Sequence, residues 1–463
     1  MFGLLAHHYH FRKMLLLTGE GVGICAALVA GVLLRVGDAS YITEGPFLFC
    51  LKVAVVVVVG QAILFLSNLY EFEEHETQVN LLARVLNALA LTVVALALVY
   101  FVVPELLFGR GIFLLAFTLV SLLTVSWRSF YLWLMNSRTP QRNVLFMGSG
   151  DLAREIAKEI LSRKDAGINV AGFLTRDPSR VGQKVLSPSI IGTCDQVCQI
   201  AERCRADKVI IALRERRGLP VDDLLKCKMK GIQVVDGFNF FEQLTGKLLV
   251  GSLKPSYFIF SEGFIGSRTG LLAKRVLDLA FSSLLLLASA PLMILIALLI
   301  KIDSPGAVLF RQERVGEWGR GFRIAKFRSM YEDAEAASGP VWASEDDPRV
   351  TSLGKLLRRY RLDELPQLWN VLSGRMSLVG PRPERPYFVE QLRRTVPYYD
   401  QRFLVKPGIT GWAQVRYSYG SSEEDALEKL KYDLYYIKHN TVWLDLVVFF
   451  ETVRIVLFGR GSR

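Results

Sequence analysis

The sequence predicts a membrane protein in three parts: a bundle of four membrane-spanning α-helices, a parallel α/β domain, and a second α/β domain that carries a re-entrant membrane helix. Three observations carry this. The chain has 463 residues, 51% hydrophobic and 22% charged, with a mean hydropathy of +0.30, so its apolar residues must be clustered. Long apolar runs crowd the first 135 residues, and one more lies far downstream. Between them, short apolar strands alternate with helical patterns. An apolar content this high excludes intrinsic disorder. A count of 6 Cys excludes a disulfide scaffold. The net charge of +12 leaves nucleic acid, a membrane surface or phosphate-rich substrates as the partners of a basic chain.

The N-terminal runs are 14–34, 47–66, 81–103 and 112–127. A bilayer core takes about 20 apolar residues of helix, so each can span, the last marginally. The first run carries Glu20 and lacks a small-residue cleavage pattern, which argues against a signal peptide. Arg12 and Lys13 precede the first span, and Arg128, Arg138 and Arg142 follow the fourth. The loop after the first span holds Asp38 and Glu44 but no Lys or Arg before Lys52. Both ends of the bundle are therefore expected on the cytoplasmic side. The acidic loop 71–77 falls on that side by alternation, since acidic residues weigh little in the rule.

The downstream run, 280–300, is long enough to cross but has Pro291 in its middle, where a helix hydrogen bond is lost. Lys274 and Arg275 lie before it and Lys301 after it, so charge chooses no orientation. A helix-break-helix that enters and leaves by the cytoplasmic face is expected, with Ser289 back-bonding near the kink. A Pro-kinked true span is the alternative.

The middle of the chain reads as strands at 143–147, 170–174, 208–213 and 232–235 with helices between, a Rossmann-like pattern. The turn Gly148-x-Gly150-x-x-Ala153 matches the start of a dinucleotide fingerprint. The ribose-binding acid expected after the second strand is missing: Arg176 stands there and Asp177 comes late. A Rossmann-like domain without a bound cofactor or catalytic role is therefore favoured. Cys194, Cys198 and Cys204 fall on one predicted helix without zinc-type spacing, and are expected to be reduced structural thiols. His7, His8 and His10 read as an interfacial collar rather than a metal site.

The dense polar motifs follow residue 270. They include Lys274-Arg275-x-x-Asp278, Lys326-Phe-Arg328, Arg358-Arg359-Tyr-Arg361-Leu-Asp363-Glu364-Leu-Pro366, Gly380-Pro-Arg382-Pro, and Lys406 through Gln414. Pro366 suits a first helical turn and Gly374 a stop, so Asp363 and Glu364 are placed at a helix N-terminus. Free N–H groups there favour phosphate and an ionised carboxylate. Arginine forks match phosphate oxygens. One carboxylate can attack phosphorus and the other can hold Mg²⁺. A capping pair with surface salt bridges weighs equally on these residues alone.

On these motifs, in this order, the stretch from Lys274 onward resembles the catalytic domain of bacterial monotopic phosphoglycosyl transferases. The whole chain resembles their large form, the polyprenyl-phosphate sugar-1-phosphate transferases of exopolysaccharide synthesis. The opening His7-His8-Tyr9 is similar to the EpsB-like, PEP-CTERM-associated subgroup. The resemblance implies ping-pong transfer of a sugar-1-phosphate from a UDP-sugar to undecaprenyl phosphate, with release of UMP. It implies Asp363 as nucleophile, Glu364 as Mg²⁺ ligand, Arg382 at the nucleotide, and Lys274, Arg275 and Asp278 at the base of the re-entrant helix. It places the chain in the bacterial inner membrane with its soluble domains cytoplasmic. The family pair at the helix break is often Ser-Pro; here Ala290-Pro291 stands in its place, with Ser289 one residue earlier.

The expected domains are a bundle at 1–135, a Rossmann-like domain at 142–250, an interfacial linker at 251–270 and the catalytic domain at 271–463, with the re-entrant helix at 274–302. Arg358, Arg361 and Arg328 are expected at the phosphates and Lys274 and Arg275, with Arg382, among the substrate-binding residues, while Arg311, Arg314 and Lys326 suit either the site or a solvated face. Tyr257, Phe258, Phe260 and Phe264 suit an interfacial aromatic belt. The helical stretch 432–440, with Asp433, reads as structural. Rival readings are a membrane-anchored NAD(P)-dependent sugar-nucleotide enzyme and a non-enzymatic scaffold. No nucleic-acid partner is expected, because basic and acidic residues are interleaved. The N-terminal and middle domains offer surface for a homodimer.

Overall fold

The structure is a computed structural model that describes residues 4–37, 45–67, 69–70, 78–138, 142–163, 167–186, 188–215, 217–264, 266–331, 347–417, 420 and 422–458, with 4–15, 78–82, 131–138 and 457–458 described by their backbone alone. The side chains of His7, His8, His10, Arg12, Lys13 and Arg138, and the loops holding Asp38, Glu44 and residues 71–77, lie outside the described residues. The chain divides into two compact units, Met1–Leu244 and Thr245–Arg463.

The first unit opens with α1 (Leu4–Val36), α2 (Pro46–Leu66), α3 (Gln78–Val102) and α4 (Arg110–Arg138). All four are long and apolar enough to cross a membrane. Val22, Val58, Leu98 and Leu114 are apolar yet exposed, as expected of helices whose outer face meets lipid rather than water. α1 and α4 approach closely where Gly31 faces Ala116; a Cβ on Gly31 would stand 3.0 Å from the Ala116 Cβ. Small residues at the contact permit this.

Arg128 corrects the expectation of a flanking cytoplasmic arginine. It lies inside α4 and is buried, with Nε 2.5 Å from Glu20 Oε1 of α1. Tyr70 donates to the other Glu20 oxygen at 2.5 Å, and Arg128 Nη1 donates to the Leu69 carbonyl at 2.6 Å. A lone charge among apolar helices is costly, so Glu20 and Arg128 neutralise each other and tie α1, α4 and the segment after α2 together.

The α/β domain follows: β1 (Arg142–Met147), α5 (Asp151–Ser162), β2 (Ile168–Thr175), β3 (Ile190–Thr193), α6 (Val197–Arg203), β4 (Lys208–Ile211), α7 (Val221–Met229), β5 (Gln233–Asp236) and α8 (Gly237–Thr245). The sheet is parallel, in the order β3-β2-β1-β4-β5. β3 is an element that the sequence pattern did not predict. It is short, and Gly192 interrupts its apolar run. The cysteines also differ from expectation. Cys194 sits in a 3₁₀ turn, Cys198 on α6 and Cys204 just after it. Cys194, Cys198 and Cys227 of α7 share one apolar core, and all are free thiols.

The second unit holds α9 (Pro255–Phe260), α10 (Arg268–Asp303), β6 (Leu309–Val315), β7 (Gly321–Phe327), α11 (Ser352–Arg359), a 3₁₀ helix (Leu362–Gln367), α12 (Leu368–Leu372), β8 (Ser377–Val379), α13 (Pro386–Thr395), β9 (Gly408–Thr410), α14 (Trp412–Arg416), α15 (Glu423–Lys438) and α16 (Val442–Phe458). β6 and β7 form an antiparallel hairpin; β8 and β9 pair in parallel.

The expected helix-break-helix is instead one helix, α10, with Pro291 inside it. Pro291 leaves the Leu287 carbonyl without its usual donor. Ser289 bonds to the Leu285 carbonyl at 2.7 Å, so it does not fill that vacancy. Both ends of α10 pack on this unit. Asp278 accepts from Ser377 Oγ at 3.1 Å and Leu378 N at 3.0 Å, while Ile296 and Ile300 share a core with Phe327 and Leu357. Between them Leu284, Leu287, Ile294 and Leu295 are exposed.

The aromatic belt is likewise narrower than expected. Phe258 packs against Phe264 and Tyr398, and Tyr257 takes a hydrogen bond from Lys438 Nζ at 2.5 Å. Phe260 alone of the four stands fully outward.

Candidate active site

Asp363 and Glu364 sit in the first turn of the 3₁₀ helix, a tighter turn than the expected α-helix, which starts only at Leu368. Arg361 precedes them in a left-handed conformation, φ +52°, which costs a non-glycine residue about 1–2 kcal/mol. The helix ends where expected, with Gly374 at φ +79°. Asn370 fixes the turn to the hairpin. Its Oδ1 accepts from Ala325 N at 3.1 Å and its Nδ2 donates to Arg323 O at 2.9 Å, so its amide behaves as an added strand on β7. Lys326, the next residue of β7, is thereby set beside the acidic pair.

Arg382 closes the other side, its Nη2 2.6 Å from Glu364 Oε1. The loop that carries it needs glycine. A Cβ on Gly380 would lie 2.4 Å from the Lys406 carbonyl, and one on Gly408 would lie 2.1 Å from Gly380 N. The segment from Lys406 is therefore the packing partner of the Arg382 loop, through Gly408 N to Pro381 O at 3.0 Å and Gly380 N to Thr410 O at 2.9 Å. Arg402 donates to the Arg382 carbonyl at 2.9 Å and pairs with buried Asp433 at 3.0 Å. Arg314 holds the Pro383 carbonyl at 3.0 Å. Asp433, read as structural, thus supports the loop through Arg402, a residue that sequence reasoning missed.

The remaining candidates separate. Arg358 reaches the site, with its Nε on Ser329 Oγ at 2.9 Å and its charge felt by Asp363. Arg361 acts on Glu364. Arg328 is buried; its Nη2 donates to Ser304 O at 2.7 Å and Oγ at 2.9 Å, while its Nε and Nη1 have no hydrogen-bond partner among the described residues. Lys274 and Arg275 are used elsewhere. Lys274 meets Val379 O, Tyr436 OH and Asp445 at 3.0, 3.1 and 2.7 Å, which engages all three of its donors. Arg275 caps the end of α12 through the Val371 and Leu372 carbonyls at 2.7 and 2.9 Å.

Electrostatics divide the acidic pair. Asp363 is 7% exposed and Glu364 8%. Burial and the neighbouring Glu364 push the Asp363 carboxyl up to about 6, against the pull of Lys326, Arg358 and Arg382. Burial also raises Glu364, but Arg382, Arg361 and Lys326 outweigh it and hold that carboxyl below its ordinary value. Burial pushes the Lys326 ammonium down to about 8. Lys326 is the second residue undervalued by sequence; its KFR context and spacing gave no sign of this neighbour.

Among the described residues, no three His, Cys, Asp or Glu groups stand together as a metal site. Two carboxylates still suit Mg²⁺, a hard ion usually held by one or two carboxylates together with substrate phosphates. In the α/β domain the two residues after β2 bond within the protein itself. Arg176 donates to the carbonyls of Glu215 and Arg217 at 3.0 and 2.7 Å, and Asp177 caps its own turn at Ser179 N, 3.0 Å.

A membrane protein whose α/β unit buries adjacent carboxylates in a ring of cations has the makings of a phosphoryl-transfer enzyme. Residues 269–459 match the Bacterial sugar transferase family, and residues 66–230 match a CoA-binding domain. Over 331 residues the chain is 35% identical to a UDP-glucose:undecaprenyl-phosphate glucose-1-phosphate transferase of Escherichia coli (strain K12), covering 69% of each. Over 240 residues it is 42% identical to a UDP-N-acetylgalactosamine-undecaprenyl-phosphate N-acetylgalactosaminephosphotransferase of Aeromonas hydrophila, covering 52% of this chain and 56% of that one. It is 42% identical over 191 residues to Exopolysaccharide production protein PSS of Rhizobium leguminosarum bv. phaseoli, covering 94% of that protein. The chain belongs to the bacterial sugar transferase family. It spans little more than half the length of the Aeromonas relative.

Proposed function

We propose that the chain transfers a sugar-1-phosphate from a UDP-sugar to undecaprenyl phosphate, the first membrane step of exopolysaccharide repeat-unit assembly. The observation that carries it is the unequal acidic pair: one carboxylate held ionised by arginine, its neighbour raised toward neutrality. An Asp363 oxygen attacks the phosphorus next to the sugar, the bond to the uridine phosphate breaks, and UMP leaves. An oxygen of undecaprenyl phosphate then attacks the phosphosugar-aspartate and frees Asp363. A nucleophile titrating near 6 is both ionised and basic at neutral pH. Arg382, Arg361, Arg358 and Lys326 face the diphosphate, and Arg328, with two buried donors that meet no acceptor among the described residues, is a further phosphate contact. Glu364 would hold Mg²⁺, which supplies charge neutralisation between carboxylate and diphosphate.

The membrane topology we infer rests on α10. Both its ends pack on one folded unit, its middle is apolar and exposed, and Pro291 kinks it between them, so the helix dips into the bilayer, bends and returns to the face it left. That face is the cytoplasmic side of the bacterial inner membrane, where nucleotide sugars are found. Lys274 and Arg275 anchor the base of α10 rather than bind substrate.

Full-length protein in lipid, supplied with undecaprenyl phosphate, Mg²⁺ and a panel of UDP-sugars, should release UMP with at least one sugar and form undecaprenyl-diphospho-sugar. Folded protein that releases no UMP with any of them would sink the proposal.

A further inference from the structure

Arg328 differs from the other cations of the site in what supports it. It directly follows β7, and its backbone N–H continues the hairpin pairing to Val308 O at 2.9 Å. Its Nη2 is fixed by Ser304, the residue that caps the C-terminal end of α10. The preceding Phe327 shares a core with Ile296 and Ile300 of α10, while Ile302, in the last turn of that helix, is 82% exposed. On the topology inferred above, Arg328 therefore stands where α10 comes back out of the bilayer. Arg382 has a different support, the loop after β8, and bonds to Glu364.

Arg328 is also tied to the acidic pair. Alternate residues of an extended chain share a face, which puts Arg328 on the face of Lys326, and Lys326 acts on Asp363. Beside Arg328, Ser329 Oγ accepts from Arg358 Nε at 2.9 Å, and Arg358 acts on Asp363 as well. Arg328 itself is 8% exposed, and its Nε and Nη1 meet no acceptor among the described residues. A buried guanidinium so little satisfied is costly, and an anion at those donors relieves the cost.

Two phosphates come to this site by different routes. The diphosphate of a UDP-sugar arrives from water. Undecaprenyl phosphate keeps its chain in the apolar layer and its phosphate at headgroup level, the level at which α10 emerges. We propose that Arg328 binds the phosphate monoester of the lipid acceptor and serves the second half of the reaction. This rests on the sugar-transfer reading above. In that half an acceptor oxygen bonds to phosphorus while the bond from phosphorus to Asp363 breaks. The acceptor enters as a dianion and Asp363 leaves as a carboxylate, so charge balances with no proton moved. Arg328 favours the dianion and holds its oxygen at the phosphorus.

The test takes the two halves apart, with full-length protein in lipid nanoparticles and the UDP-sugar that yields UMP. Without acceptor, the burst of UMP reads the first half. Undecaprenyl phosphate added to the phosphosugar-enzyme reads the second, as loss of the covalent adduct by intact-protein mass spectrometry. Arg328→Gln should keep the burst rate within about twofold, which also shows it folded, and slow the second half roughly a hundredfold, as loss of two charge-assisted contacts would. Arg328→Lys, with the charge but fewer donors, should regain about tenfold of that loss. In native mass spectrometry Arg328→Gln should retain less undecaprenyl phosphate than wild type and as much undecaprenol, which lacks the phosphate. Slowing of both halves alike, or of the first half more, overturns the proposal, because a prop for α10 or a contact to the donor would act in that way. Undecaprenyl phosphate retained as well as by wild type overturns it too. A wild type that releases no UMP sinks the sugar-transfer reading instead, and lipid retention then decides on Arg328 by itself.

Discussion

Two buried acid–arginine clusters sit in this chain and they are built on opposite plans. In the bundle, Glu20 faces one guanidinium and one hydroxyl, and Arg128 places a further donor on a backbone carbonyl. One negative charge meets one positive charge. In the second unit, Asp363 and Glu364 are adjacent in sequence and buried together, and Arg382 bonds to Glu364. Asp363 is left to share the field of cations that it does not bond, and burial raises it. Balanced charge in a dry site makes a strut; charge left unbalanced makes a group ready to react.

The sharpest break in this comparison is chemical. Asp363→Asn should lower UMP release by about ten-thousand-fold or more, as loss of a covalent nucleophile does in other enzymes. It should also abolish the covalent phosphosugar seen by intact-protein mass spectrometry. Glu20→Gln should leave turnover per folded molecule within about twofold. If Glu20→Gln matched Asp363→Asn in activity, the division between strut and reactive group would be lost.

Next in size is the strut itself. Arg128→Ala leaves Glu20 buried without its partner and should cost about 3–5 kcal/mol, read as loss of folded protein in a detergent melt. Replacing both residues by leucine should cost much less, because no charge is then stranded. A double variant as unstable as the single one would show that the pair acts in another way.

Much of this architecture is legible in the sequence, and the illegible part has physical causes. Asp363, Glu364 and the arginines before them are contiguous, so one turn presents them together whatever surrounds it. The four spans are legible because lipid demands apolar length. Arg128 was misread as a flank because the rule counts charge near a span end, while Glu20 that draws it inward lies 108 positions earlier. Lys326, Asn370 and Arg402 owe their roles to contacts between elements distant in the chain, which no local pattern records. Pro291 was expected to break α10, but a long apolar helix can carry a proline once its flanks are held at both ends.

The acidic pair also has a cost in stability, with a sign opposite to that of most carboxylates. A folded value of about 6 against 3.8 means that the folded state binds the Asp363 proton more tightly. This contribution is fully present below pH 3.8 and is lost as pH rises through about 6. Asp363→Asn should therefore stabilise the protein at pH 7 by on the order of 1–3 kcal/mol, while it abolishes turnover. Thermal melts at pH 5 and pH 7 check this: the advantage of the variant should be smaller at pH 5. An Asn variant less stable than wild type at pH 7 would mean that the carboxylate is well paired, and the contrast with Glu20 would fail.

The smallest effect tests the cation that sequence undervalued. Turnover should fall on the acid side as Asp363 protonates near 6, and on the alkaline side as Lys326 loses its charge near 8. Lys326→Gln removes a positive charge that favours ionised Asp363. The acid limb should move up by about half a unit, and the alkaline limb should disappear along with several-fold of the activity. Lys326→Arg keeps its charge to far higher pH, so it should restore the acid limb and still lack the alkaline one. Both limbs are read from UMP release across pH at saturating substrate. An alkaline limb that survives in Lys326→Gln would assign it to another group, and the cations around Asp363 would then reduce to the arginines alone.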